Sequence, residues 1–309
     1  MARERRPIPC AVESRDRREP LHGTASRVRR WLLVEQPGPW GRDALTESRL
    51  DPVVARTIAS HSRRHGVRVL LIRRPAWRSA EVGRKVYLAR SDPERSWIEE
   101  LDLEGEHELL HLDLAVLAGS EPPGVGTAGP ALHLVCTNGR HDQCCANFGR
   151  PVVRALDDFG VPDVWESSHV GGDRFAANLV YLPWGLYFGR VGPDEAPQLL
   201  ADLAMGLLDL DRFRGRSCFP PLVQAAEYFV RRELGERRFG ALELVRASAD
   251  TDEDMAVVFA LPEGGQVEAH VRRVRGAVQH LTCSGGGLSR PWSYELVDLH
   301  PHRRGAAHS

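Results

Sequence analysis

The chain has 309 residues, 42% of them apolar and 27% charged, with a formal net charge of -1. That length exceeds one ordinary core and accommodates two or more, and near neutrality excludes the basic face that nucleic acid or an anionic membrane requires. No run approaches the roughly 20 apolar residues of a membrane span, and the N-terminal MARERRPIPC lacks the apolar region of a signal peptide, so a cytoplasmic protein with no membrane or nucleic-acid partner is expected.

In chain order, an apolar run WLLVEQ from Trp31 is followed by a Pro/Gly turn over 37–41. A helix is expected from Asp51 to His65, with Asp51 as its N-cap, Pro52 at its first position and Gly66 as its stop. Two more apolar runs follow, VRVLLI from Val67 and KVYLAR from Lys85. Lys85 is the single lysine of the chain and follows no G-x-x-x-x-G frame, which excludes a lysine Schiff base elsewhere and a phosphate loop. The Pro- and Gly-rich SEPPGVGTAGP then reads as a linker over 120–130.

The same grammar repeats beyond it. Strand LHLVC leads into the loop TNGRHDQCC, a helix from about Pro151 to Phe159, strand VWESS, the pair NLVYLP and LYFGRV, and a helix from about Asp194 to Leu208. Laid over one another, WLLVEQPGPWGRDAL and LHLVCTNGRHDQCCA keep strand, turn and helix start in register, with Glu35 opposite Cys136. KVYLAR likewise mirrors LVYLPW. This predicts a tandem duplication whose first copy, 1–119, carries no metal ligands, and whose second spans 131–211. From 212 to 300 the helix PLVQAAEYFVRREL and the short segments ALELVRA, MAVVFAL, QVEAHVRRV, AVQHLTC and WSYELVDL predict a small α+β unit with an antiparallel sheet. The tail 301–309 is expected to be disordered.

In a reducing compartment the six cysteines, Cys10, Cys136, Cys144, Cys145, Cys218 and Cys283, are poorly explained as a disulfide framework. Three of them fall within ten residues, in a tight loop after a buried strand. About 24 residues past Cys145, SSHVGGDRFAAN offers His169 and Asp173 at another strand end, with Gly171 and Gly172 letting the backbone pass close to a bulky group. Loops at neighbouring strand ends can converge, and thiolates with an imidazole suit an iron-sulfur cluster or zinc. The absence of a C-x-x-C knuckle argues against a zinc finger.

CTNGRHDQCCA and SSHVGGDRFAANLVYLPWGLYFGRVGPDEAPQLL, with their spacing, resemble the sucrase/ferredoxin-like family, whose pattern runs roughly C-S-H-G-x-R-D-x-x-C, S-H-V-G-G-H-K-x-A-G-N and Y-G-x-V-x-P-x-x-x-P. The flanking segments are similar to those of actinobacterial members. The resemblance implies an α/β protein with a thioredoxin-like ferredoxin domain, preceded by a degenerate thioredoxin-like unit. It further implies a [2Fe-2S] cluster held by Cys136, Cys145 and His169, with Asn178 at the family's asparagine. The chain departs from the pattern at Asn138, in place of the first motif's histidine, and at Asp173, in place of the second motif's later histidine. The fourth ligand is therefore open: Asp173 through oxygen, Cys144 as a third thiolate, or neither, with Asp173 only accepting a hydrogen bond.

The expected role is electron transfer with an unidentified redox partner rather than catalysis, the alternatives being an iron or redox sensor and a zinc-stabilised module. A sucrase is rejected, because no pair of carboxylates faces a sugar site in the sequence pattern. HELLHLD places His107, Glu108 and His111 at H-E-x-x-H spacing, but its flanks read as core. Arg140, His141 and Asp142 are expected to hydrogen-bond the cysteine loop. Cys10 and His22 have no legible partner spacing, and Cys218 and Cys283 are read as core.

Overall fold

The computed structural model describes residues 8–75, 84–285 and 287–301. A short helix, α1 (Cys10–Asp16), precedes β1 (Arg30–Glu35), α2 (Pro52–His65), β2 (Val67–Arg73), β3 (Arg84–Arg90) and β4 (Trp97–Leu103). Asp51 caps α2 as its sequence predicts, accepting from the Val53 and Val54 amides, and Gly66 ends the helix in the left-handed region at φ +62°.

The second half follows the same order. β5 (Thr127–Ala128) and β6 (Leu132–Cys136) lead to α3 (Gln143–Asp158), β7 (Val164–Ser167), β8 (Leu179–Leu182), β9 (Leu186–Phe188), α4 (Ala196–Ala204) and β10 (Phe213–Arg216). These strands form one ten-stranded sheet ordered β10-β9-β8-β6-β7-β2-β1-β3-β4-β5. In each half two parallel strands, β1 with β2 and β6 with β7, are flanked by an antiparallel third and fourth. The halves meet where β2 and β7 pair antiparallel, Ile72 opposite Ser167.

Glu35 pairs with Ile72, and Cys136 pairs with Ser167. The alignment of Glu35 with Cys136 is therefore matched by equivalent places either side of the seam. The mirrored KVYLAR and LVYLPW are offset by one residue, because Tyr87 pairs with Leu33 whereas Tyr181 pairs with His133. In a strand one step changes the face. Tyr87 accordingly packs in the cluster with Trp31, Leu33, Leu134 and Cys136, and Tyr181 in the cluster under α3 and α4.

One further element differs from its sequence reading. α3 starts at Gln143, not near Pro151, because Asp142 caps it by accepting from the Cys144 amide. Pro151 sits inside the helix and costs one backbone hydrogen bond. The 120–130 segment runs along β4, where Glu99 accepts from the amides of Gly124, Val125 and Gly126. Glu106–His111 is a 3-10 turn, whose three-residue period does not stack positions four apart on one face.

The C-terminal part carries α5 (Pro221–Leu234) against a four-stranded antiparallel sheet of β11 (Glu243–Ala249), β12 (Asp254–Ala260), β13 (Gln266–Arg275) and β14 (Trp292–Pro301). Cys218 lies in its apolar cluster with Val223, Val257 and Phe259. AVQHLTC forms no strand: β13 pairs with β14 along its length, leaving only an isolated bridge between Gln279 and Ser289. Pro301 closes β14, and the rest of the expected tail, 302–309, lies outside the described residues. Among the described residues no helix is long and apolar enough to cross a membrane.

Candidate metal centre

Cys136 ends β6, and its strand neighbour Ser167 ends β7, so the loops leaving these parallel strands emerge side by side. The first loop turns into α3 and returns Cys145; the second carries His169. The ligand atoms of Cys136, Cys145 and His169 lie within 4.8 Å of one another. Helix α3 reaches this strand end closely because Gly149 faces it, where a Cβ would stand 2.2 Å from the Cys136 carbonyl oxygen. Both thiols are fully buried, while the His169 side chain is one-fifth exposed. Its open side faces a cleft of about 580 Å³ that Arg42, Arg68, Asn138 and His141 also line.

Asp173 joins this group: its Oδ1 accepts from Cys145 Sγ at 3.3 Å and stands 3.0 Å from His169 Nδ1. The latter approach lacks the in-line geometry of a hydrogen bond, and Nδ1 is buried without one. His141 also converges here. Its ring stacks on His169 with centroids 3.7 Å apart, and its Nε2 lies 3.8 Å from Asp173 Oδ2.

The electrostatics favour an anionic sulfur beside a charged imidazole. The hydrogen bond from Cys145 is the largest influence holding Cys136 well below the usual thiol range, with His169 adding to it against burial. That hydrogen bond, followed by burial, pushes Cys145 up. Burial opposes charge on His169, yet Asp173 and Cys136 outweigh it and raise the imidazole to about 9. For Asp173 burial acts upward but His169 prevails, lowering the carboxyl.

A second tier holds the His169 loop. Arg68 donates to the His169 carbonyl at 2.7 Å. The fully buried Arg214 donates to the Gly171 carbonyl at 3.0 Å and to Asn178 Oδ1 at 2.8 Å, and Asn178 Nδ2 donates to the Gly172 carbonyl at 2.9 Å. The bulky group that Gly172 admits is this guanidinium, since a Cβ there would lie 2.4 Å from Arg214 Nη2, whereas one on Gly171 would meet Ser26 Oγ at 2.4 Å. Burial draws Arg214 down to about 10, which leaves it a cation at neutral pH.

The family model described as sucrase/ferredoxin-like matches residues 21–215, about three-fifths of the chain. The chain belongs to the sucrase/ferredoxin-like family. The matched span holds the large sheet except Arg216, the last residue of β10, and every residue of the Cys136 centre. One similar curated protein is the altered inheritance of mitochondria protein 32 of Meyerozyma guilliermondii, 28% identical over 95 residues, or 27% of this chain and 34% of the relative. The chain therefore spans about a third of the length of that relative. No solved structure matches.

The structure brings together Cys136, Cys145, His169 and Asp173, and separates Cys144 from them. The Cys144 side chain leaves α3 on another side, its Sγ 3.7 Å from Cys10 and 3.4 Å from Cys283. Sequence reasoning missed His141 as a member of the centre; its one signal is its place five residues after Cys136, inside the cysteine loop. Arg214 and Arg68 carried no signal, being brought in by strand order from distant segments.

Proposed function

We propose that the chain is a [2Fe-2S] redox protein that transfers electrons, with Cys136 and Cys145 on one iron and His169 with Asp173 on the other. The supporting observation is the convergence of two buried thiols, a partly open imidazole and a carboxylate at one end of two parallel strands. This donor set fits the group: soft thiolates hold iron-sulfur clusters, an imidazole can replace thiolate on one iron, and His169 Nδ1 has no hydrogen bond of its own. The strand order of each half, with the second strand outside the first and the third and fourth antiparallel on the other side, supports a thioredoxin-like reading of both halves and a boundary between them near 120–130.

A cluster held by these residues would supply one-electron redox chemistry. The chain's own residues set the conditions. Cys136 and Cys145 are sealed from water, whereas His169 faces the cleft, which gives the electron a short path to a protein partner on that side. Arg214 places a buried positive charge behind the His169 loop and offsets the negative charge of two thiolates and a carboxylate. His141, which lines the cleft, holds its Nε2 3.8 Å from Oδ2 of the Asp173 carboxylate.

A second assignment of the fourth position, to His141, is favoured by its stacking on His169. Iron counting on anaerobically purified Asp173→Ala and His141→Ala proteins separates the two. The Asp173 assignment expects cluster loss in the first and retention in the second; the reverse pattern transfers the role to His141. A zinc module in place of the cluster is the outcome in which the wild-type protein is colourless and carries zinc at Cys136.

A further inference from the structure

A second group of ligating side chains gathers at the start of α3, apart from the first. Cys10 opens α1, Cys144 stands in the first turn of α3, and Cys283 sits in the loop between β13 and β14, so three segments more than 130 positions apart in sequence meet at their sulfurs. All ligand atoms of Cys10, Cys144, Cys283 and Asp142 lie within 4.8 Å of one another.

The sulfur spacing carries the argument. Cys10 and Cys144 are 3.7 Å apart and Cys144 and Cys283 are 3.4 Å apart. A disulfide requires about 2.05 Å. Zinc bound by thiolates at about 2.3 Å in a tetrahedron sets its sulfurs about 3.8 Å apart. Both sulfur pairs that include Cys144 thus stand near the edge length of a mononuclear tetrahedral site, and the third pair lies within 4.8 Å. The surroundings fit as well. The Cys10 amide donates to Cys283 Sγ at 3.1 Å, as suits a thiolate. The Ala11 and Ala176 side chains pack around Cys10 and Cys144 and keep water from them.

Asp142 supplies the fourth donor. Its Oδ1 is engaged by the Cys144 amide at 2.8 Å. Its Oδ2 accepts from the Cys283 amide at 2.5 Å and Thr282 Oγ1 at 2.8 Å, and stands 3.9 Å from Cys10 Sγ. The carboxylate is thereby fixed with one oxygen turned toward the sulfurs.

We propose that Cys10, Cys144, Cys283 and Asp142 form a second, mononuclear metal site that takes a thiophilic divalent cation, zinc. Its loading displaces three thiol protons to solvent and forms three metal-sulfur bonds and one metal-oxygen bond. The ion would clamp α1 and the β13–β14 loop onto the start of α3, one residue from Cys145, so that the termini of the chain steady the first centre. The site does not depend on the identity of the group held at Cys136.

The test uses the full chain carrying Cys136→Ser and Cys145→Ser, which removes both thiols of the first centre, stripped with chelator under anaerobic conditions and titrated with Co2+ as a spectroscopic stand-in for zinc. The expected result is one equivalent bound, with intense thiolate-to-cobalt charge-transfer absorption and tetrahedral visible bands, displaced by Zn2+ and lost on further substitution Cys10→Ser with Cys283→Ser. Alkylation mapped by peptide mass needs no further variant: Cys10, Cys144 and Cys283 should be protected by Zn2+ and labelled after chelation. Absence of Co2+ binding, binding that survives loss of Cys10 and Cys283, labelling unaffected by Zn2+, or a protein two hydrogens lighter from a disulfide among these residues would each overturn the proposal. Loss of the visible iron-sulfur spectrum in the starting variant bears only on the first centre.

Discussion

The Asp173 carboxylate stands 3.0 Å from Nδ1 of His169, four residues earlier, across a turn that Gly171 and Gly172 open at φ +102° and +83°. Asp173 and His169 shift one another, the carboxyl down and the imidazole up, so under the proposed ligation residue 173 would act on both the charge and the proton content of the centre.

Replacing Asp173 by His removes a negative charge from the site. With the cluster bound, Asp173→His is expected to raise the reduction potential above that of the wild type, because the oxidised form loses its anionic ligand. A redox titration giving an equal or lower potential in the variant would show that Asp173 does not act on the cluster.

Proton uptake on reduction is expected at the imidazole, which gains a proton more readily as the cluster becomes more negative. The potential should therefore fall as pH rises between about 6 and 9. A flat profile over that range argues against histidine ligation.

Arg214 is fully buried, and its guanidinium serves the carbonyls of Thr24 and Gly171 and the side chain of Asn178. Arg214→Met leaves those acceptors without donors, each at about 1–3 kcal/mol, so a loss of roughly 3 kcal/mol or more in denaturant unfolding is expected. Gly149→Ala should act on the same centre from the helix side, pushing α3 off the Cys136 carbonyl and lowering iron content together with stability.

His133 on β6 stacks on Tyr181, and its Nδ1 is buried without a partner. Burial lowers it from 6.5 to about 4. Because the folded value lies below the unfolded one, the unfolded chain binds the extra proton first. Stability is complete above pH 6.5 and declines as the pH falls toward 4, by roughly 3 kcal/mol from this residue. His133→Phe should flatten that acid limb in thermal unfolding; an unchanged slope would assign it to other groups.

Much of the fold was legible because its signals are local. Asp51, Pro52 and Gly66 bound α2 as read, and α5 covers PLVQAAEYFVRREL residue for residue. The short segments LHLVC and VWESS were read as strands, which gave β6 and β7 and hence the two loops that meet. Where tertiary context decides, the sequence was silent or misleading. Pro151 suggested a helix start, yet the Asp142 cap prevails nine residues earlier. Cys283 read as a core residue of the C-terminal unit, and only the return of the β13–β14 loop brings it to Cys144 and Cys10. His141 looked like a loop-bonding residue because its stacking partner lies 28 positions away on another strand end.

The central claim is tested most directly by visible absorption and electron paramagnetic resonance on the anaerobically purified protein, with iron and sulfide counted in the same sample. The account predicts a brown protein with two irons per chain, a rhombic signal on one-electron reduction, and loss of both in Cys136→Ser. A colourless wild-type protein that holds zinc at Cys136 and Cys145, and acquires no iron on anaerobic reconstitution, would contradict it.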